Sequence, residues 1–398
     1  MIPLLGGIEV LEIGTVVLGP YAGQILADLG ADVVKVEPID GDIARAAHPR
    51  GAGMGALYAN NNRNKRTISI DLKSAEGREI VMRLAGERDV LLHNMRADAA
   101  ERLGLGFDAL AERNPRLIYC AAIGFGQQGR YRNRPAFDDV IQAASGLAGL
   151  VAHAGGEPRF VPTILADKVA ALHTVYGILA ALVARANGRT GAIRVDVPMF
   201  EAMAAFLLNE HLAGATFDRD GRTGYERVLS SYRRPYRTRD GWIAVLPYTH
   251  EQWRRFLSEV GRHDILGEPW FAEPASRQAR LDFLYGVIAT ALTERTTAEW
   301  MSAFSRLDIP ASEINTLASL LDDPHLADVG FFDVDPSYPP EIVRMIPQPV
   351  QFHGIEPRAD RPPPAHGADT RALLRSCGYG EADIDRLIAS GVASDGSR

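Results

Sequence analysis

The chain has only two cysteines in 398 residues, Cys120 and Cys377. Two thiols are too few for a disulfide framework or a zinc site. Cys120 stands in the apolar run LIYCAAIGF and reads as a buried packing residue. A basic n-region is missing from the opening MIPLLGGIEVLEIG, so no secretory leader is expected, and the expected location is cytoplasmic. Positive charge is not in excess either. The net charge is −7 at pH 7, which argues against general nucleic-acid binding. No GxxxxGK[ST] loop is present to hold ATP. One long apolar run exists, at 160–183. It carries Asp167, Lys168 and His173, which argues for a core helix over a membrane span, so no membrane is expected. Composition is otherwise that of a globular chain, 46% apolar and 23% charged, long enough for two or three domains' worth of core.

The rest of the chain is organised around that run, FVPTILADKVAALHTVYGILAALV. It is long enough for about six helical turns. A helix with no polar face is expected to be buried. Asp167 sits just inside its start, and an ionised carboxylate is costly to bury unless something pairs with it or uses it. Two readings stand. Asp167 caps the helix, accepting its free N–H groups, or it is a carboxylate nucleophile kept charged by the helix N-terminus.

Upstream, 8–12 alternates as a strand, 19–30 reads as a helix stopping at Gly30, and 31–37 is a second strand. Strand–helix–strand predicts a parallel sheet. Glu37 stands where dinucleotide folds carry a ribose-binding acid. Gly14, Gly19 and Gly23, however, are spaced GxxxxGxxxG, not GxGxxG. The stretch 40–73 is rich in glycine and locally basic, with Arg45, Arg50, Arg63, Lys65, Arg66 and Lys73. It is either a solvated surface or a polyphosphate site. Helices at 74–85 and 98–111 and strands at 89–94 and 117–123 follow. GFGQQG at 124–129 matches GxGxxG, but a loop with Pro135 follows it in place of a helix. Asp138 and Asp139 open a helix at 137–150 as expected caps. A strand at 193–197 and a helix at 199–212 come next. The polar stretch 216–227 is a crossing into another domain. A hairpin at 231–246 turns at Arg239-Asp240-Gly241, and helices then complete a small α+β unit over 225–325. Strands are expected again from Phe331, then the linker RADRPPPAHG and a closing helix pair.

Together these pieces resemble the class III CoA-transferases, the family of formyl-CoA:oxalate and carnitine CoA-transferases and of alpha-methylacyl-CoA racemases. The resemblance covers almost the whole chain. It rests on GPYAGQILADLGADVVKVEPIDGD, NRNKRTISIDLKSAEGRE, FDDVIQAASGL, ADKVAALHTVYGILAALVAR with RTGAIRVDVPMFEA, DGWIAV, PHLADVGFF and PPPAHGADTRALLRSCGYGEADIDRL, in that order. It implies an α/β fold: a large Rossmann-like domain built from both chain ends (1–215 and 330–398) with an inserted small α+β domain (225–325), in an interlocked homodimer. By position, the family's catalytic aspartate falls on Asp167. Its CoA-contacting segments fall on Val16, Val17 and Leu18, on Ile70 and Lys73, on Asn94 and Met95, and on Ala99 and Arg102. No metal is implied, and no cofactor beyond the coenzyme A thioester substrate. The partners are acyl-CoA and free carboxylic acids. The oxalate enzymes' glycine-rich lid is absent.

The implied activity is acyl-CoA:carboxylate CoA transfer through an aspartyl-CoA intermediate. Serine or cysteine could form an acyl-enzyme but could not itself become a CoA thioester; a carboxylate can. GFGQQG is the expected source of oxyanion-stabilising N–H groups. Two alternatives stand beside this reading. Racemases of the family carry a His-Asp pair where this chain has Phe137-Asp138, and a racemase needs two acid/base groups about one carbon. The other alternative is a non-catalytic CoA-binding protein. The arginines of SYRRPYRTR are candidates for a second substrate carboxylate, or a solvated hairpin.

Overall fold

The computed structural model describes residues 1–153 and 156–397. Its main sheet has seven strands. These are β1 (Glu9–Ile13), β2 (Asp32–Glu37), β3 (Arg66–Ile70), β4 (Val90–His93), β5 (Ile118–Ile123), β6 (Ile193–Pro198) and β7 (Ala393–Ser394). The order is β7-β3-β2-β1-β4-β5-β6. All pairs are parallel except β7 with β3, where the C-terminus adds an antiparallel edge. From β3 to β6 this is the strand order of a doubly wound sheet, whose ligand crevice lies beyond the strands' carboxyl ends, where the order reverses between β1 and β4. The middle strands are buried over nearly their whole length, as covered parallel strands are.

Contacts divide the described chain into two compact units. The larger comprises 1–148, 160–207 and 330–398. The smaller comprises 149–159 and 208–329. In the larger unit, the helices before β6 are α1 (Leu18–Asp28), α2 (Ala56–Asn62), α3 (Ala75–Glu87), α4 (Ala97–Arg102), α5 (Phe107–Arg113) and α6 (Asp138–Ala144), then α7 (Leu147–His153), of which only the first two residues belong to this unit, and α8 (Leu165–Ala186). Gly30, at φ +101°, turns the chain out of α1. A Cβ there would stand 2.8 Å from the Ile2 carbonyl oxygen.

The long apolar helix differs from expectation in two ways. It begins at Leu165, because fully buried Gln142 holds the preceding backbone in a non-helical bend. The Gln142 Oε1 accepts from the Val161 N–H at 2.9 Å, and its Nε2 donates to the Thr163 carbonyl at 3.2 Å. Nor is α8 buried all round. Val169, Ala170, Thr174 and Ile178 face inward, while Leu172, Tyr176 and Val183 are 54%, 60% and 59% exposed.

The smaller unit has a three-stranded antiparallel sheet of Tyr236–Arg237, Trp242–Val245 and Ala311–Glu313. It packs on helices whose Trp253, Phe256, Trp300 and Phe304 fill its core. The turn between its first two strands contains Arg239-Asp240-Gly241, as the spacing predicts. The strands expected after Phe331 do not form. Among the described residues, 331–392 has no strand. Repeated prolines up to 364 remove ladder donors, and the chain there runs by isolated contacts, such as the Arg361 N–H donating to Asn64 Oδ1 at 2.7 Å. The closing helix pair, Thr370–Ser376 and Glu381–Ala389, then buries Leu373, Leu374, Ile384 and Leu387 in the core.

Candidate active site

Asp167 is the third residue of α8. The helix is capped by Ile164, which offers no side-chain acceptor, and Asp167 does not cap it. The cap comes from another helix: Asp138 at the start of α6 accepts the Asp167 backbone N–H on Oδ1 at 3.1 Å. Its Oδ2 accepts from Gln142 Nε2 at 2.7 Å. Asp138 therefore caps α8 with one oxygen and braces its own helix with the other.

This leaves the Asp167 carboxyl free, desolvated and beside a like charge. Burial and then the nearby Asp138 carboxylate raise its pKa from 3.8 to about 6, while the Leu18 N–H at the start of α1 pulls it down. At neutral pH it is largely ionised, but it carries little hydration. An ionised, poorly solvated carboxylate beside a backbone donor has the properties of an activated nucleophile.

The turn that presents Leu18 is strained and braced. Val16 sits at φ +66°, a left-handed conformation costly for a β-branched residue. Its N–H donates to Asp42 Oδ1 at 3.2 Å. Asp42 pairs with Lys35 at 3.0 Å, and Lys35 also pairs with Glu12 at 3.1 Å and donates to the Gly14 carbonyl. Glu12 in turn pairs with Lys65 at 2.7 Å, whose Nζ also donates to the Pro20 carbonyl of α1. Glu12 and Lys35 face each other in the β1–β2 register, and the side chains of Glu12, Lys35, Asp42 and Lys65 are all buried. Each buried charge is paired, and the lysines' spare donors go to the backbone around α1.

The stretch 40–73 is therefore neither a solvated surface nor, for most of its cations, a polyphosphate site. Arg45 pairs with Glu37 at 2.7 Å and lies over the Tyr58 ring. Arg63 pairs with Asp28, and Arg66 with Asp32. Glu37, with Arg45 and Thr67 on its carboxylate, has its pKa held at about 2 despite burial. It is an anchor within the fold. Arg50 and Lys73 are the exceptions: both are exposed and make no ion pair among the described residues.

A cleft of about 610 Å³ opens at the carboxyl ends of β1 to β4, at the switch point. Ile70, Lys73, Asn94 and Met95 line it together. Thr15 lines it too, joined to Asn94 by a reciprocal pair of hydrogen bonds at 2.9 and 3.1 Å. Val16, Val17 and Leu18 continue from Thr15, and Val17 turns to a different cavity. Ala99 and Arg102 stand on α4 and do not line the cleft, although the next residue, Leu103, does. Arg102 pairs with Asp98 at 2.6 Å.

The GFGQQG loop does not offer all its donors freely. The Gly126 N–H is taken by Glu201 at 3.0 Å, and Phe125 packs on Tyr131 and Phe200. The donor that faces Asp167 is Leu18. Arg233 and Arg234 line a cleft in the smaller unit. Among the described residues no group of three or more His, Cys, Asp or Glu side chains is placed to hold a metal. Asp138 as a trans-cap, Gln142, and the Glu12–Lys35–Asp42–Lys65 network had no motif in the sequence. For Glu12 and Lys35 alone there was a visible signal, charge inside strands otherwise built mostly of valine, leucine and isoleucine.

The family model described as CoA-transferase family III matches residues 5–370. A probable fatty acyl-CoA transferase of Mycobacterium tuberculosis is 28% identical over 384 residues, covering 93% of this chain and 97% of the relative. A succinate–glutarate CoA-transferase of Agrobacterium fabrum is 30% identical over 381 residues, covering 94% and 95%. Among solved structures, a CaiB/BaiF family protein from Brucella suis superposes with a TM-score of 0.79 at 27% identity, covering 95% of this chain and 100% of that one. The chain belongs to CoA-transferase family III.

Proposed function

We propose that this chain is an acyl-CoA:carboxylate CoA-transferase working through a covalent aspartyl-CoA thioester on Asp167. The observation that carries the reading is the Asp167 carboxyl: desolvated, uncapped, ionised at neutral pH and facing the Leu18 N–H. Its oxygen attacks the donor thioester carbonyl. The C–S bond breaks, CoA leaves as thiolate, and an acyl-aspartyl anhydride remains. The thiolate attacks the aspartyl carbonyl and expels the donor acid as carboxylate, leaving aspartyl-CoA. The acceptor carboxylate attacks this thioester, thiolate leaves again, and its attack on the acceptor carbonyl frees Asp167. No proton need move, and water must be kept out. The Leu18 N–H stands where it can stabilise an oxyanion on the aspartyl carbon.

CoA is assigned to the switch-point cleft. Lys73 at its mouth meets phosphate charge, Ile70 and Met95 give apolar walls, and Asn94 holds the Thr15 turn. Val16, Val17 and Leu18 approach through their backbone, and Ala99 and Arg102 lie at the outer edge. The larger unit is read as the CoA domain, with the smaller inserted into it, and two chains interlock as a homodimer. The expected setting is cytoplasmic. The relative named for succinate and glutarate makes short dicarboxylic acids the first substrates to try.

The test is an intact-mass spectrum after incubation with a panel of acyl-CoA thioesters, followed by peptide mapping. A CoA adduct on the Asp167 peptide is expected. Tight CoA binding with no adduct would leave a binding protein. Exchange of the α-proton in deuterated water without an acceptor acid would establish a racemase instead.

A further inference from the structure

The flank of α1 away from the CoA cleft holds a second cavity, of about 350 Å³. Its apolar walls include Val17, Ile25, Leu57, Ile164 and Ile346. Asp167 does not itself line it, but its neighbours in the chain and in space do. Thr163, Ile164 and Lys168 line it and bracket Asp167 along the chain. Val17 lines it and precedes Leu18, whose N–H faces the Asp167 carboxyl. Successive residues of a helix point about 100° apart, so Asp167 and Lys168 can serve different sides of one reacting group.

The cavity's charges are unequal. Arg63 and Asp28 both line it and neutralise each other, with Arg63 Nε donating to Asp28 Oδ1 at 3.0 Å. Lys168 has no such partner. Its Nζ donates to the Thr163 hydroxyl at 2.9 Å and makes no ion pair among the described residues. An ammonium on an apolar wall, with one neutral acceptor, is poorly compensated wherever a ligand displaces water. A carboxylate brought to it forms a charge-assisted hydrogen bond. The volume equals roughly a dozen water-sized groups. That is room for the body of a short acid.

We propose that this cavity is the subsite for the acid that exchanges CoA, and that Lys168 reads a second carboxylate at the far end of a short dicarboxylate. The inference rests on the transferase reading of Asp167. Binding of glutarate and of butyrate to the full-length, CoA-saturated protein is followed by ligand-observed NMR titration. Wild type should prefer glutarate. Lys168→Met should weaken glutarate tenfold or more, shift butyrate less than twofold and leave the Kd for CoA unchanged, while Lys168→Arg restores glutarate. Leu57→Trp, which fills the cavity, should weaken both acids. Unchanged glutarate binding in Lys168→Met, or a loss of preference that appears only in Arg233→Gln/Arg234→Gln, overturns the subsite. If the CoA adduct on Asp167 still forms in either case, the subsite alone has failed. If glutarate discrimination depends on Lys168 but no adduct ever forms, the transferase reading alone has failed.

Discussion

A nucleophile that must imitate a substrate acid is needed as an anion, yet its surroundings must exclude the water that would normally stabilise it. Asp167 meets both demands with a pKa near 6. Because that value lies above the ordinary 3.8, ionisation is penalised in the folded state. The penalty is fully present above about pH 6 and fades as pH falls toward 4. Asp167→Asn should therefore be more stable than wild type at pH 7.5, by about 2 to 3 kcal/mol, and the gap should close near pH 4 in thermal melts. The same variant, like Asp167→Ala, should lose transfer by several orders of magnitude while keeping its fold by circular dichroism. In wild type, kcat/KM should rise with pH through an apparent pKa of about 6. Asp138 raises that pKa by its charge and holds the Asp167 N–H by its shape. Asp138→Asn removes the first and keeps the second, so the acidic limb should move to lower pH with the fold retained. An unmoved limb would show that burial alone sets the value. None of this was legible from position. An aspartate near a helix start reads as a cap or as a nucleophile, and only the family resemblance favoured the second. The group that does cap α8 lies 29 residues upstream, at Asp138.

Elements were easier to read than the charges between them. Alternating and continuous apolar runs mark β1, α1, β2 and their successors, because burial of those faces is local information. What holds the α1 turn is not local. Glu12, Lys35, Asp42 and Lys65 come from four separate segments and meet only because β1 and β2 are parallel and in register. In the sequence, Lys65 belongs to a basic stretch that looks like a phosphate site. In the fold it neutralises a buried glutamate. Removing one partner of such a network leaves its opposite charges buried and uncompensated, so Lys35→Met should cost about 3 to 5 kcal/mol in chemical unfolding. The loss should reach the site as well. Without Lys35, Asp42 is less firmly held as the acceptor for Val16, and the strained turn is free to relax. CoA affinity should fall in calorimetry even where the protein remains folded. A variant of normal CoA affinity and reduced stability would confine the network to structure.

At the scale of the whole molecule, one feature of the single chain is unsatisfied. Along α8, Leu172, Tyr176 and Val183 lie at intervals of four and seven on one side and are more than half exposed. That spacing is one helical stripe, on a helix whose opposite face is packed against α1 and the sheet. Sequence reading made this helix wholly buried because it is apolar all round. A stripe buried only by a second chain would satisfy both that composition and this exposure. The proposed homodimer supplies such a chain, and its interface should bury the α8 stripe. Sedimentation at micromolar concentration should give a dimer for wild type. Leu172→Glu with Tyr176→Glu places two charges where the partner would pack, so the pair should shift the protein to monomer or leave it unable to assemble. Lys73→Ala, by contrast, touches the CoA cleft and should weaken CoA while the dimer persists. A doubly charged stripe that still sediments as a dimer, with unchanged concentration dependence, would place the interface elsewhere and leave α8 exposed for some other reason.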